Sequence, residues 1–165
     1  MLADKIRNRE SGIVLYGIVP PKKGTEPEQL REIAQRQSQR LQSLKMDGLI
    51  LYDIQDEKTR TTEERPFPFI ETLDSFSYSR DYLSSVPVPK IIYRSVGKYD
   101  RDELTGILSR ISQQGDLTVF VGTASKSQQV TMSLSEAYKL KREVNPDLLV
   151  GGEQVVDERL VGDVD

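Results

Sequence analysis

The sequence predicts an α/β fold in which parallel strands alternate with helices, as a partial TIM (β/α)8 barrel of about five strands. Three observations lead there. Unbroken apolar runs such as Gly48-Leu49-Ile50-Leu51 and Leu117-Thr118-Val119-Phe120-Val121 suit strands buried on both faces, where a half-exposed strand would alternate apolar and polar residues. Amphipathic stretches with helix-start signals separate these runs, so strand and helix alternate four times before a last strand. The chain has 165 residues, whereas a complete barrel takes ~250. An open, doubly wound five-stranded sheet fits the same alternation, and the pattern alone leaves both architectures open.

Residues 1–11 are charged and read as a short helix or arm, an ordered lid over one end of the domain. The first strand spans 13–19, from Ile13 to Val19, and is stopped by Pro20-Pro21, which cannot donate to a ladder. Thr25 and Glu28 form a capping pair around Pro27. They open a helix over 26–44 whose inner side carries Leu30, Ile33, Ala34, Leu41 and Leu44. Arg31, Arg36 and Arg40 read as its solvated face in preference to a phosphate-binding surface.

The second strand starts at Gly48 and passes within one residue into a polar tail, from Tyr52 through Arg65. In Arg65-Pro66-Phe67-Pro68-Phe69 two alternating prolines force an extended segment, and the preferred reading is that the phenylalanines dock this loop onto the rim. Asp74 caps a short helix carrying Phe76, Tyr82 and Leu83. Ile91-Ile92-Tyr93 is the third strand, releasing Arg94 to Lys98 as a loop. Asp100 with Glu103 caps a helix with the stripe Leu104, Ile107, Leu108 and Ile111, closed by Gly115. The fourth strand is 117–121. Ser133 and Glu136 cap the last helix, with Leu134, Ala137, Leu140 and Val144 inward, and 148–152 is the fifth strand.

Composition narrows the chemistry. The absence of histidine removes Ser-His-Asp catalysis and His-based zinc sites, and the absence of cysteine removes disulfides and thiolates. Acid–base work falls to Asp, Glu, Lys or Tyr. A net charge of −3 gives no electrostatic reason for a nucleic-acid or membrane partner. The first residues carry no apolar leader and no run is long enough to span a bilayer, so a cytoplasmic location is expected.

Right-handed crossovers gather the polar tails on one rim. There Tyr52, Asp53, Arg60 and Thr61 follow the second strand, Arg94, Ser95 and Lys98 the third, and Thr123, Ser125 and Lys126 the fourth. Mixed charge of this kind holds an anionic or heteroaromatic small molecule. For Arg60 and Arg94 the alternative is loop-bracing ion pairs. Asp53 and Asp56 do not make a metal pair, being ordinary turn chemistry. The loop 122–127 lacks the Gly-Lys-Ser/Thr ending of a phosphate loop, and no strand leads into Gly-x-Gly-x-x-Gly.

The first strand ending in Pro20-Pro21-Lys22, the second running into Asp56-x-x-x-Arg60-Thr61, and Glu64-Arg65-Pro66-Phe67-Pro68-Phe69 resemble the methylenetetrahydrofolate reductase family over roughly 12–153. The nearest resemblance is to its smaller, divergent members. The resemblance implies that 1–165 is a single α/β domain forming the amino-terminal portion of a larger barrel. It also implies an oxidoreductase of one-carbon metabolism, with FAD passing hydride from NAD(P)H to a folate-like substrate. The expected cofactor-binding residues are Tyr52, Asp53, Arg60, Thr61, Arg94, Ser95, Thr123 and Ser125. Two positions depart from that pattern. Three residues ahead of the Pro-Pro pair, where the family places a catalytic Glu, stands Gly17, and the family's Arg-Gly-Asp after the fourth strand is Val121-Gly122-Thr123. The alternative expectation is a non-catalytic ligand-binding or scaffold module derived from the same barrel. An exposed sheet edge and apolar inner surface would also make it self-associate.

Overall fold

Apolar runs whose every other residue finds a separate core build the sheet. The computed structural model of the chain describes residues 1–54, 66–114, 116–122 and 131–153. In it β1 (Leu15–Ile18), β2 (Gly48–Leu51), β3 (Lys90–Ser95), β4 (Leu117–Val121) and β5 (Val150–Glu153) form one sheet in the order β1-β2-β3-β4-β5. Every neighbouring pair is parallel. The order never reverses, so the doubly wound alternative, which needs a switch point, is corrected in favour of a singly wound sheet.

Helices α2 (Pro27–Gln42), α3 (Ser75–Tyr82), α4 (Arg101–Gln114) and α5 (Leu134–Val144) share one core with one face of this sheet. Leu49, Leu51, Ile92 and Phe120 meet Leu30, Ala34, Phe76, Leu104, Leu108, Ala137 and Leu140 there. Thr118, a polar residue of that face, is accommodated because its Oγ1 donates to the Ile92 carbonyl at 2.7 Å. Side chains of the other parity, Ile50, Ile91, Tyr93, Leu117 and Val119, form a second, thinner cluster. Leu2 of α1 (Leu2–Arg7) joins them at the amino end, as the lid reading expected. It fits because residue 48 is glycine: a Cβ there would stand 2.6 Å from Leu2 Cδ2. Lys5 fastens the arm by donating to Asp47 at 2.7 Å.

Local expectations fail where a backbone competitor wins. Thr25 does not cap α2; its hydroxyl donates to the Lys22 carbonyl at 2.7 Å and Glu26 occupies the cap position. Leu44 lies past the end of α2 and is 43% exposed. The first strand is shorter than 13–19, and β3 is longer than expected, taking Arg94 and Ser95 out of the loop before a 3-10 turn at Val96–Lys98. The fifth strand begins two residues late, leaving Leu148 to pack into the helix-side core. Phe67 is 76% exposed and joins neither core cluster among the described residues, while Phe69 is half-buried. Gly115 lies outside the described residues.

Candidate ligand site at the carboxyl ends of the strands

Tyr52 is the first residue past β2, and parity sends its side chain to the inner face. Its backbone is held on both sides: Tyr52 N donates to the Ile18 carbonyl at 3.0 Å, and Ser75 Oγ donates to the Tyr52 carbonyl at 2.9 Å. The ring then lies over Gly17, so closely that a Cβ at 17 would stand 2.6 Å from the ring. It meets Tyr93 edge-on, with centroids 5.0 Å apart at 73°. Tyr52 remains 38% exposed, so the two rings make an aromatic corner open at the rim. Such a corner offers a π-face to a flat heterocycle.

Asp53 points the other way and fastens the rim. One of its carboxylate oxygens accepts from Ser95 N at 2.9 Å, and the other from Lys98 Nζ at 2.7 Å. Lys98 Nζ also donates to the Ile54 carbonyl at 2.9 Å, and Ser95 Oγ to the Asp53 carbonyl at 3.3 Å. The end of β2 is thereby tied to the end of β3.

Arg94, one residue from Ser95, faces the helices and is 1% exposed. Its Nη1 donates to Asp74 Oδ2 at 2.5 Å and to the Tyr99 hydroxyl at 3.1 Å. The guanidinium also packs 5.8 Å from the Phe76 ring centroid and 5.7 Å from that of Tyr99. Nε and Nη2 have no hydrogen-bond partner among the described residues, leaving the two rings as their compensation. Burial works against the charge on both partners. It raises the Asp74 carboxyl, but Arg94 and the Ser77 amide outweigh it and hold the carboxyl below its ordinary value. Burial lowers Arg94, but Tyr99 and Asp74 outweigh it and the group stays cationic. Burial also pushes the Tyr99 phenol up to about 12, against the opposing pull of Arg94, so it remains protonated at neutral pH. This is the arrangement of a brace.

A pocket of about 310 Å³ opens on the helix side of the rim, lined by Lys23, Asp53, Glu71, Thr72, Lys98 and Tyr99 among others. It exists because the loop after β1 pairs with the segment ahead of α3. Lys22 bridges Thr72, Lys23 N donates to the Glu71 carbonyl at 2.8 Å, and Leu73 N to the Pro21 carbonyl at 2.9 Å. The Lys23 and Glu71 side chains close the ion pair at 3.1 Å.

Of the eight residues expected to bind a cofactor, Asp53 and Ser95 are hydrogen-bonded where β2 and β3 end, and Tyr52 precedes them with its ring on the inner face. Arg94 is adjacent in sequence but on the opposite face. Arg60, Thr61, Thr123 and Ser125 lie outside the described residues. Sequence reasoning passed over three contributors: Tyr93 as half of the aromatic corner, Tyr99, and Asp74 as partner to Arg94 as well as cap. Only alternation along β3 signalled Tyr93, whose parity matches Ile91. Among the described residues no cluster of three or more Asp, Glu, His or Cys is placed to hold a metal. No described helix is long and apolar enough to cross a membrane.

No protein-family profile matches the chain, and no curated protein does. Among solved structures, the chain is similar to an uncharacterized protein from Clostridium thermocellum that binds two copies of 5-methyl-5,6,7,8-tetrahydrofolic acid. The two are 46% identical, with a TM-score of 0.78, over 92% of this chain and 47% of that one. The chain thus spans about half the length of the protein it matches.

Proposed function

We propose that the chain binds a reduced folate, of the 5-methyltetrahydrofolate class, with the pterin against the Tyr52 and Tyr93 rings at the carboxyl rim. The folate ligand of the similar C. thermocellum protein supports this reading, and so does the likeness over nearly all of this chain. The observation that carries it is the Tyr52 ring laid across Gly17. That contact gives the inner rim an aromatic floor and fills the space a side chain at position 17 would need.

The same contact favours binding over reduction. A reductase of the resembling family would place its proton donor at position 17. Here that position has no side chain. FAD and NAD(P)H, expected from the resemblance, carry diphosphates that need cations. Among the described residues expected at the rim, Arg94 is committed to Asp74 and Tyr99 on the other face and Lys98 to Asp53, while Arg60 and Lys126 lie outside the described residues. Tyr52 and Tyr93 suit a flavin ring as well as a pterin, so the test carries a flavin arm.

Isothermal titration with 5-methyltetrahydrofolate is expected to give saturable binding in the micromolar range. Tyr52→Ala, at a rim position that packs little core, should weaken it about tenfold, equivalent to ~1.4 kcal/mol, with an unchanged melting temperature. Absence of saturable binding overturns the reading. A yellow protein, or tight FAD binding with no response to folate, favours the flavin reading in its place.

A further inference from the structure

Arg94 spends one nitrogen on its brace. Nη1 donates to both Asp74 and Tyr99. Nε and Nη2, which have no hydrogen-bond partner among the described residues, form the side-on edge of the guanidinium. The parallel N–H groups of that edge match the two oxygens of one carboxylate. Arg94 is buried, and a buried charged donor without an acceptor is rare and costly. The rings of Phe76 and Tyr99 offset part of the cost without giving the fork an oxygen.

Arg94 also lines a cleft of about 260 Å³ between α3 and α4. Helical spacing builds its walls. Phe76 and Arg80 stand one turn apart on α3, and Glu103, Ile107 and Arg110 recur along one side of α4. Phe76 and Ile107 are buried and give the cleft an apolar side. Arg80 is paired with its neighbour Asp81, an exposed contact of the kind that holds weakly. Arg110 is exposed and has no ion pair among the described residues.

We propose that this cleft binds a small monocarboxylate with an apolar body, its two oxygens on the Nε–Nη2 edge of Arg94 and its body against Phe76 and Ile107. Charge selects the class. Arg80, Arg94 and Arg110 face Asp74 and Glu103 across the cleft, so the lining carries one net positive charge. A carboxylate balances that charge. The dianion of a phosphate ester would leave an uncompensated negative charge beside two carboxylates. Size agrees, because the cleft falls just under the range of sites for drug-sized ligands. Arg80 has its Cζ 6.0 Å from the Phe76 ring centroid. Turning off that ring, it opens the way to Arg94 and brings a second guanidinium to the ligand. The cleft lies on the helix side and shares no residue with the Tyr52–Tyr93 corner, so the proposal does not rest on the folate reading.

The test is nitrogen-15 NMR of the chain's arginine Nε–H groups during titration with sodium benzoate, at neutral pH and constant ionic strength. The Arg94 signal is assigned by its cross-peaks to the Phe76 and Tyr99 rings. It should shift saturably, with an affinity of about millimolar for so small a probe. Phenyl phosphate keeps the ring but carries nearly two charges, and should bind at least about tenfold more weakly. Arg110→Gln, at an exposed position, should weaken benzoate about fivefold with an unchanged melting temperature. The absence of a saturable shift at the Arg94 Nε–H across the millimolar range overturns the proposal and leaves Arg94 a brace alone. Phenyl phosphate binding as tightly as benzoate overturns it too, as does a benzoate affinity untouched by Arg110→Gln. None of these readouts involves the inner-face tyrosines, so failure here leaves the folate reading standing, and failure to bind folate leaves this site standing.

Discussion

Tyr52 and Gly17 work as a pair, and the pair predicts the result of restoring a side chain at 17. Gly17→Ala puts a methyl group 2.6 Å from the Tyr52 ring. The ring sits at the open rim and can turn outward, so the stability loss should be about 1 kcal/mol, at the low end of the range for overpacking. Folate affinity should fall much further, by tenfold or more. Calorimetry and chemical denaturation on the same sample separate the two effects; equal losses in both would mean that the ring has no binding role. Arg94 and Asp74 predict the opposite split. Asp74→Asn leaves a buried cation facing a neutral amide and should cost about 2 kcal/mol, less than the ~3–5 of a fully enclosed pair because Asp74 is itself 44% exposed. The folded state holds the Asp74 carboxyl below its ordinary value. Its stabilising contribution is therefore complete above about pH 4 and is lost as pH falls through the folded value. Urea denaturation between about pH 5 and pH 2 should show an acid limb that is shallower in Asp74→Asn. An unchanged limb would assign the acid sensitivity to other carboxylates.

At the scale of the element, helix starts divide according to whether the capping side chain has a competitor. Ser133 accepts from the Glu136 amide at 3.2 Å while Glu136 reaches back to Ser133 N at 2.8 Å, the reciprocal box the sequence spelled out. Asp100 and Glu103 repeat it at 2.8 and 3.0 Å. Thr25 carries the same signal and forms no box, because the tight turn after Pro20-Pro21 offers its hydroxyl the Lys22 carbonyl first. Ser133→Ala should then cost about 1 kcal/mol, and Thr25→Ala less than half of that, by urea denaturation at neutral pH; a larger loss at Thr25 would reverse the assignment. The strands were readable from their apolar runs almost to the residue at 117–121, where a helix lies on one side and the inner cluster on the other. At β3 the apolar run ends short of the strand because Arg94 is polar, and nothing in sequence announces that Asp74, Tyr99 and Phe76 assemble around it. Composition shows that a charge is present; only the fold shows its partner.

For the whole molecule, alternation of strands and helices made a parallel sheet legible, but not the order of the strands. The sequential order β1-β2-β3-β4-β5 depends on which crossover packs beside which, a long-range property that single-sequence periodicity does not carry. The candidate site divides in the same way. Gathering the strand ends on one rim followed from topology, so Asp53 and Ser95 meet where β2 and β3 end. Whether adjacent residues share a face followed from register, and it turned Arg94 away from Tyr52. The rim pocket was not foreseen, because its wall is the pairing of Lys22 with Thr72, fifty positions apart in the sequence. The central claim is that a reduced folate stacks on the inner-face tyrosines. It is tested most directly by NMR of the chain with its seven tyrosines ring-labelled, titrated with 5-methyltetrahydrofolate. The account predicts ring-current shifts at Tyr52 and Tyr93 that saturate together, with Tyr16 and Tyr82 unmoved. Shifts confined to Tyr78 and Tyr99 on the helix side, or no saturable shift at Tyr52 and Tyr93, would contradict it.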